Sequence, residues 1–430
     1  MHATVPVKNP IRLYLSICFL CFFMSAAIVS SAAATTVSGV LTGDRTWTKD
    51  GSPYIVTGTV TVYNGTLTIE PGVMVQFNAS SSLRIGNSST STKLVAQGTL
   101  EDPITFTSNG DVKWGQISLQ SSMAEGSIME YCIIENNGYS NYPLVDVSSS
   151  NVTIKNCTFR NTPNSGLRIN LNAIPALEAN TYTEIGGYPI YINNYALSIS
   201  AVDNTSTFDE SNTKNLIYYA GGDITHDTSI ANAGIPYYCH GSSFVYGATL
   251  TISPGAELRF EDHTGLWIGS ITTANTTNRL VAEGTSEAPI IFTSANKTPT
   301  PGLWYGINFQ SRDSGSVLKH AIVEYGGYGS YGNVGIYSSF PVIDTCVIRH
   351  SSNYGVKITG AAGDNQPGLF CNTITGNGTG IYVNGNADPI IHDNNITGNT
   401  SSGLTLANTS VQVDATENYW GSAGGPGTSG

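Results

Sequence analysis

Glu135 is followed by Arg160, and Glu324 by Arg349 at the same spacing. If such a stretch makes one turn of a stacked structure, each carboxylate lies beside a guanidinium on the next turn, about 4.8 Å away. The pair could grip a sugar or serve an acid–base step. Its simpler reading is a cross-strand surface ion pair, which contributes little. Each acid also opens an aromatic, Gly-rich stretch, "ENNGYSNYPL" at 135–144 and "EYGGYGSYGN" at 324–333, in which Tyr139 and Tyr142 match Tyr328 and Tyr331. Sugars pack their C–H faces on aromatic rings while their hydroxyls take hydrogen bonds, so these loops are candidate ligand sites. Trp267, on the outward phase between Leu266 and Ile268, extends the set. Against this, the chain has 23 Tyr, and loop tyrosines can simply cover a sheet edge.

The other reactive side chains read as structural. Asp344 and His392 have the types of a dyad, but the register places Phe370 between them, two turns apart. After Ala34 the cysteines are Cys132, Cys157, Cys239, Cys346 and Cys371, an odd number with no C-x-x-C spacing. That pattern indicates neither a zinc site nor a dense disulfide framework. Buried thiol packing is the default, with a Cys132–Cys157 disulfide open in an exported protein. N-x-S/T sequons at Asn64, Asn151 and Asn395 permit glycosylation, but a chain so rich in Asn, Ser and Thr generates them by chance. No metal and no cofactor is expected.

The elements that must position these residues follow from composition and repetition. In 430 residues there are 47 Gly, 40% hydrophobic residues and only 11% charged residues. Apolar surface suffices for an ordered core, and helix formers are scarce, so an all-β fold is expected. Residues 1–34 read as an export signal, with Lys8 and Arg12 before an apolar run from Leu13 to Val29, then Ala32 and Ala34 at a cleavage site. Its removal would take the net charge from −12 to −14. Such a chain repels phosphate backbones, which excludes nucleic acid as a partner. No membrane span is expected once the signal is cleaved.

"LTIEPGVMVQF" at 67–77 returns as "LTISPGAELRF" at 250–260, and "KLVAQGTLEDPITFTS" at 93–108 returns as "RLVAEGTSEAPIIFTS" at 279–294. The chain therefore reads as two copies, about 40–221 and 222–410, with a terminal coil at 411–430. In the first stretch Leu67, Ile69, Val73, Val75 and Phe77 fall on one face and Thr68, Met74 and Gln76 on the other, while Pro71-Gly72 supplies a bend. Within each copy runs a shorter period, seen where Gly355, Gly380 and Gly403 each open a Gly-apolar-x-apolar stretch. Each period holds short alternating strands with no amphipathic helix. That is the signature of a solenoid, in which one turn buries its apolar face only against the next. A single continuous rod over 35–427, of about 16 turns, is expected. Tyr139 and Tyr142 should then share a side of it with Tyr328 and Tyr331.

These phrases, with the terminal "ENYWGSAGGPG", resemble the right-handed parallel β-helix repeat proteins of the pectin-lyase-like superfamily, most closely secreted microbial surface proteins. The resemblance implies an all-β, right-handed parallel β-helix solenoid, and also that the chain continues past Gly430. The superfamily's hydrolases carry "NTD", "DD", "GHG" and "RIK" on successive coils, and none of these strings occurs here. Its lyases hold Ca²⁺ on clustered carboxylates beside a proton-abstracting base. No such cluster of Asp is visible in the sequence. The expected function is therefore a non-catalytic, secreted or cell-surface protein, structural, adhesive or glycan-binding, whose partners are extracellular polysaccharide or other envelope components. The alternative is a polysaccharide lyase or glycoside hydrolase acting on acidic polysaccharide.

Overall fold

The computed structural model describes residues 33–86, 92–120, 126–149, 151–193, 196–270, 278–310, 315–360 and 366–422. The export signal expected at the N-terminus lies, up to residue 32, outside them. Among the described residues the only helical pieces are two short 3₁₀ turns, Lys49–Gly51 and Ala196–Ala201. No helix there is long and apolar enough to cross a membrane.

The alternation read from the sequence builds a parallel β-solenoid. Leu67, Val73, Val75 and Phe77 have no exposed surface, whereas Met74 between them is 39% exposed. Gly72 and Gly255 carry the two Pro-Gly bends with φ of 76° and 79°, a backbone region that suits glycine. Each strand pairs in parallel with its equivalent one turn away, as Cys132–Glu135 does with Thr158–Thr162. Three such columns, or faces, enclose the apolar bore. In the first copy they are typified by Cys132–Glu135 on the first face, Val145–Val147 on the second and Val152–Lys155 on the third. The bore contains stacked aromatic steps at matching places in the two copies, Phe77 on Trp114 at 4.4 Å and Phe260 on Trp304 at 4.3 Å.

The solenoid has about 14 turns, not 16. The expectation assumed a constant period, but turn length varies with the corner loops. The turn that runs from Ile217 to its partner Tyr237 is short, whereas the one from Leu258 to its partner Phe292 is much longer. Loops can lengthen at a corner without disturbing the strands, because only the strands carry the register.

The two copies join with a shift of phase. Ile190–Ile192 on the second face pairs with Ile217–Tyr219, that with Tyr237–Cys239, and that with Glu257–Phe260. Glu257–Phe260 is the counterpart of Met74–Phe77, which belongs to the first face because it pairs with Ile104–Ser108 and so leads to Cys132–Glu135. The first-face strands of the second copy thus stand on the second face of the first copy. The shift falls between Ile192 and Glu257. The 3₁₀ turn Ala196–Ala201 occupies the place where a third-face strand would follow, and Thr207–Phe208 is the last strand stacked on the first face. Ile217–Tyr219, which follows, lies on the second face, and the strands Tyr237–Cys239 and Glu257–Phe260 stack on it there.

This overturns the expectation that equivalent loops share one side. The loop carrying Tyr139 and Tyr142 lies at the corner before the second face. That carrying Tyr328 and Tyr331, between Ala321–Glu324 and Gly332–Tyr337, lies at the corner after it. With three faces, the two corners are about a third of a turn apart.

Candidate functional site

The two acid–guanidinium pairs lie outside the bore, on strands in register. Glu135 is opposite Arg160, with Oε2 2.6 Å from Nε, and Glu324 is opposite Arg349 at 2.7 Å. Glu324 also accepts a hydrogen bond from Thr293 Oγ1 at 3.0 Å. Both carboxylates are engaged by donors, which makes them poor general bases. Glu324→Gln is expected to lower stability by no more than about 1 kcal/mol, as for other half-exposed pairs, read as a small shift of the thermal midpoint.

Asp344, Phe370 and His392 stack in that order on one face, so the first and last do not meet. Asp344 accepts from Lys319 at 2.8 Å, and His392 sits 3.0 Å from Asp414. Cys132 and Cys157 are buried thiols on adjacent turns, and Cys346 occupies the matching place in the second copy. Burial raises the Cys132 thiol well above its usual range and pushes Cys346 up to about 12, so neither supplies a thiolate. Among the described residues no group of three or more His, Cys, Asp or Glu is placed to hold a metal ion.

The aromatic candidates separate into two unlike sets. Tyr139 and Tyr142 are exposed, with ring centroids 6.1 Å apart, and they contact no third ring among the described residues. In the second copy, half-buried Tyr305 lies 5.5 Å from Trp267, 5.4 Å from Tyr328 and 5.2 Å from Tyr331, joining all three into one surface. Phe244 stacks on Trp267 at 5.0 Å, and His263 lies 4.0 Å from Tyr328. The platform is missing from the first copy because its two key rings are absent there. Gly115 stands where Tyr305 does, each following the buried tryptophan, and Arg84 stands at the place of Trp267.

Trp304 fixes the platform from beneath. It is fully buried, its Nε1 donates to the Glu324 carbonyl at 2.9 Å, and its own carbonyl accepts from the Tyr328 amide at 3.0 Å. Sequence reasoning passed over Tyr305, although "LWYGINF" places it beside that tryptophan.

A second aromatic group, also unforeseen, runs along the outside where the copies meet. Tyr191, Tyr218 and Tyr238 occupy equivalent outward positions on three successive turns. Tyr191 and Tyr218 stack with centroids 4.1 Å apart and planes within 4°. Tyr188 lies against Tyr218 at 5.1 Å, and the Lys214 ammonium sits 4.5 Å over the Tyr188 ring. Burial, above all, raises the Tyr218 and Tyr238 hydroxyls above their ordinary range, so both stay protonated as donors. The signal was present in "YPIY", "LIYYAGG" and "PYYCHG", each with a tyrosine on the outward phase. The unequal lengths of the two turns that separate them hid their alignment.

Residues 55–206 match the family model of the right handed beta helix region, about a third of the chain and most of the first copy. No curated protein and no solved structure matches the chain. With the strand columns described above, the match makes the fold a right-handed parallel β-helix.

Proposed function

We propose that this β-helix repeat protein is a secreted or cell-surface protein that holds polysaccharide without cleaving it. The observation that carries the reading is the platform of Trp267, Tyr305, Tyr328 and Tyr331, three rings each in contact with Tyr305 on a scaffold of stacked strands. Aromatic faces bind the C–H faces of sugars, and a scaffold of stacked strands keeps the rings in place at little entropic cost on binding. The carboxylates picked out as candidates for cleavage, Glu135 and Glu324, are each held by an arginine. An apolar surface with polar neighbours suits retention better than turnover.

The test is native affinity electrophoresis of the chain in gels containing xylan, carboxymethyl cellulose, pectate or alginate. Trp267→Ala should weaken retardation by about tenfold, the loss of one well-packed ring contact with its buried area. Tyr139→Ala should have a smaller effect, since Tyr142 is its only ring neighbour among the described residues. Unchanged binding in Trp267→Ala would remove the platform from the account. Release of unsaturated or reducing ends that is lost in Glu135→Ala or Glu324→Ala would favour the lyase or hydrolase reading instead.

A further inference from the structure

Beside the tyrosine row at the junction of the copies opens a cleft of about 340 Å³, lined in part by Pro163, Asn164, Arg168, Tyr188, Tyr191 and Lys214. It belongs neither to the Trp267 platform nor to either acid–guanidinium pair. Two of its lining side chains are cationic and none is a carboxylate, in a chain whose net charge is −12.

The two cations differ in what they have left to offer. Arg168 gives Nη2 to Asp146 at 2.6 Å, and Asn170 donates to the same carboxylate, so this pair is close to neutral. Arg168 still has N–H groups beyond those spent on Asp146, because a guanidinium carries five. Lys214 forms no ion pair among the described residues, whereas Lys49, Lys155 and Lys319 each hold a carboxylate at 2.8–3.1 Å. Its ammonium is positioned by the Tyr188 ring instead, which orients the charge without neutralising it.

We infer that this cleft is a second ligand site, one that takes a sugar residue bearing an anionic group. The anion meets Lys214 and the spare N–H groups of Arg168, while Pro163 and the tyrosine wall receive the apolar face of the ring. The inference rests on the glycan-binding reading above but not on the Trp267 platform. A carboxylate and a sulfate ester share the required chemistry, and the choice of probe separates them.

The experiment uses the full chain at physiological ionic strength, where screening limits long-range repulsion of a polyanion. Retardation is compared in gels of alginate, dextran sulfate and neutral dextran for the wild type, Lys214→Gln, Lys214→Arg and Trp267→Ala. Lys214 is exposed, so the glutamine variant should keep the wild-type thermal midpoint. The wild type should favour alginate, dextran sulfate or both over dextran. Lys214→Gln should lose about tenfold on the favoured polymer and nothing on dextran, and Lys214→Arg should retain most of the binding. Preference for alginate alone identifies a uronate, and preference for dextran sulfate alone identifies a sulfate ester. Equal loss on neutral and charged polymers, or none on either, overturns the cleft. A Lys214→Gln effect beside an inert Trp267→Ala keeps the cleft and removes the platform. A wild type that none of the polymers retards overturns both.

Discussion

Trp304→Ala is expected to cost about 3–5 kcal/mol and to abolish platform binding, whereas Trp114→Ala should cost as much and leave that binding intact. Both indoles are fully buried, both stack on a phenylalanine from the preceding turn, and both donate Nε1 to the carbonyl of a corner glutamate at 2.9 Å. Truncating either empties the bore beside that phenylalanine and leaves the carbonyl of Glu135 or Glu324 without its donor. The functional consequences differ because the corners carry different residues. Through Glu324 the Trp304 side chain holds the start of the loop that carries Tyr328 and Tyr331, while through Glu135 the Trp114 side chain holds the loop that carries Tyr139 and Tyr142. The loss should be local, since each turn of a solenoid is stabilised mainly by its neighbours. Turn-resolved hydrogen exchange should show lost protection around residues 260–335 in one variant and 77–145 in the other. Equal loss of polysaccharide binding in both variants would mean that the copies are functionally equivalent after all.

The inside of this molecule was legible in the sequence, and much of the outside was not. Inward positions announce themselves because the period of two is enforced wherever a bore must be filled. Leu67, Val75 and Phe77 could be placed without coordinates. The facing of Glu135 with Arg160 across one turn followed from the same logic, because their spacing equals the local turn length.

The angular relation of the copies was hidden because a sequence offset measures distance along the chain, not rotation about the axis. The shift falls between Thr207–Phe208, the last strand on the first face, and Glu257–Phe260, which stacks on the second. Comparing the copies also drew attention to what they share, Tyr139 with Tyr328 and Tyr142 with Tyr331. The platform depends on what they do not share, Tyr305 against Gly115 and Trp267 against Arg84. The cleft lies wholly within the last turns of the first copy, where Arg168, Tyr188 and Lys214 come from different turns, so comparing the copies could not reveal it. Duplication gave the scaffold its length; divergence gave its copies unlike surfaces.

Asn394→Ala should be about as damaging as losing a core aromatic, although it removes only a small polar group. Asn394 is 1% exposed and belongs to a column with Asn372 and Asn418 on adjacent turns. Its Oδ1 accepts from the backbone amide of Asn372 at 2.9 Å, and its Nδ2 donates to the carbonyls of Leu369 and His392, both at 2.8 Å. The Asn372 amide lies at a corner, where the chain is turning from one face to the next, while Leu369 lies in the adjoining strand Gly368–Phe370. His392 ends Ile390–His392, and its carbonyl also accepts from the Cys371 amide at 3.4 Å. Alanine takes this partner from the Asn372 amide and the Leu369 carbonyl, at roughly 1–3 kcal/mol for each such group, so a total of about 3 kcal/mol is expected. Asn394→Leu should be no better, because it restores volume but not acceptors and donors. Asn395→Ala, at the exposed position next along the chain, should stay within about 0.5 kcal/mol of wild type. The check is the thermal midpoint of the three variants, together with exchange of the Asn372 amide. Were Asn394→Leu as stable as wild type, the asparagine column would be a by-product of corner packing, and the corners would be held by the apolar bore alone. The same column recurs in the first copy, where Asn180 accepts from the Cys157 amide at 3.1 Å and donates to the Ile154 carbonyl at 2.9 Å. Asn180→Ala should therefore destabilise its own turns in the same way, with no effect on the platform several turns further along the chain.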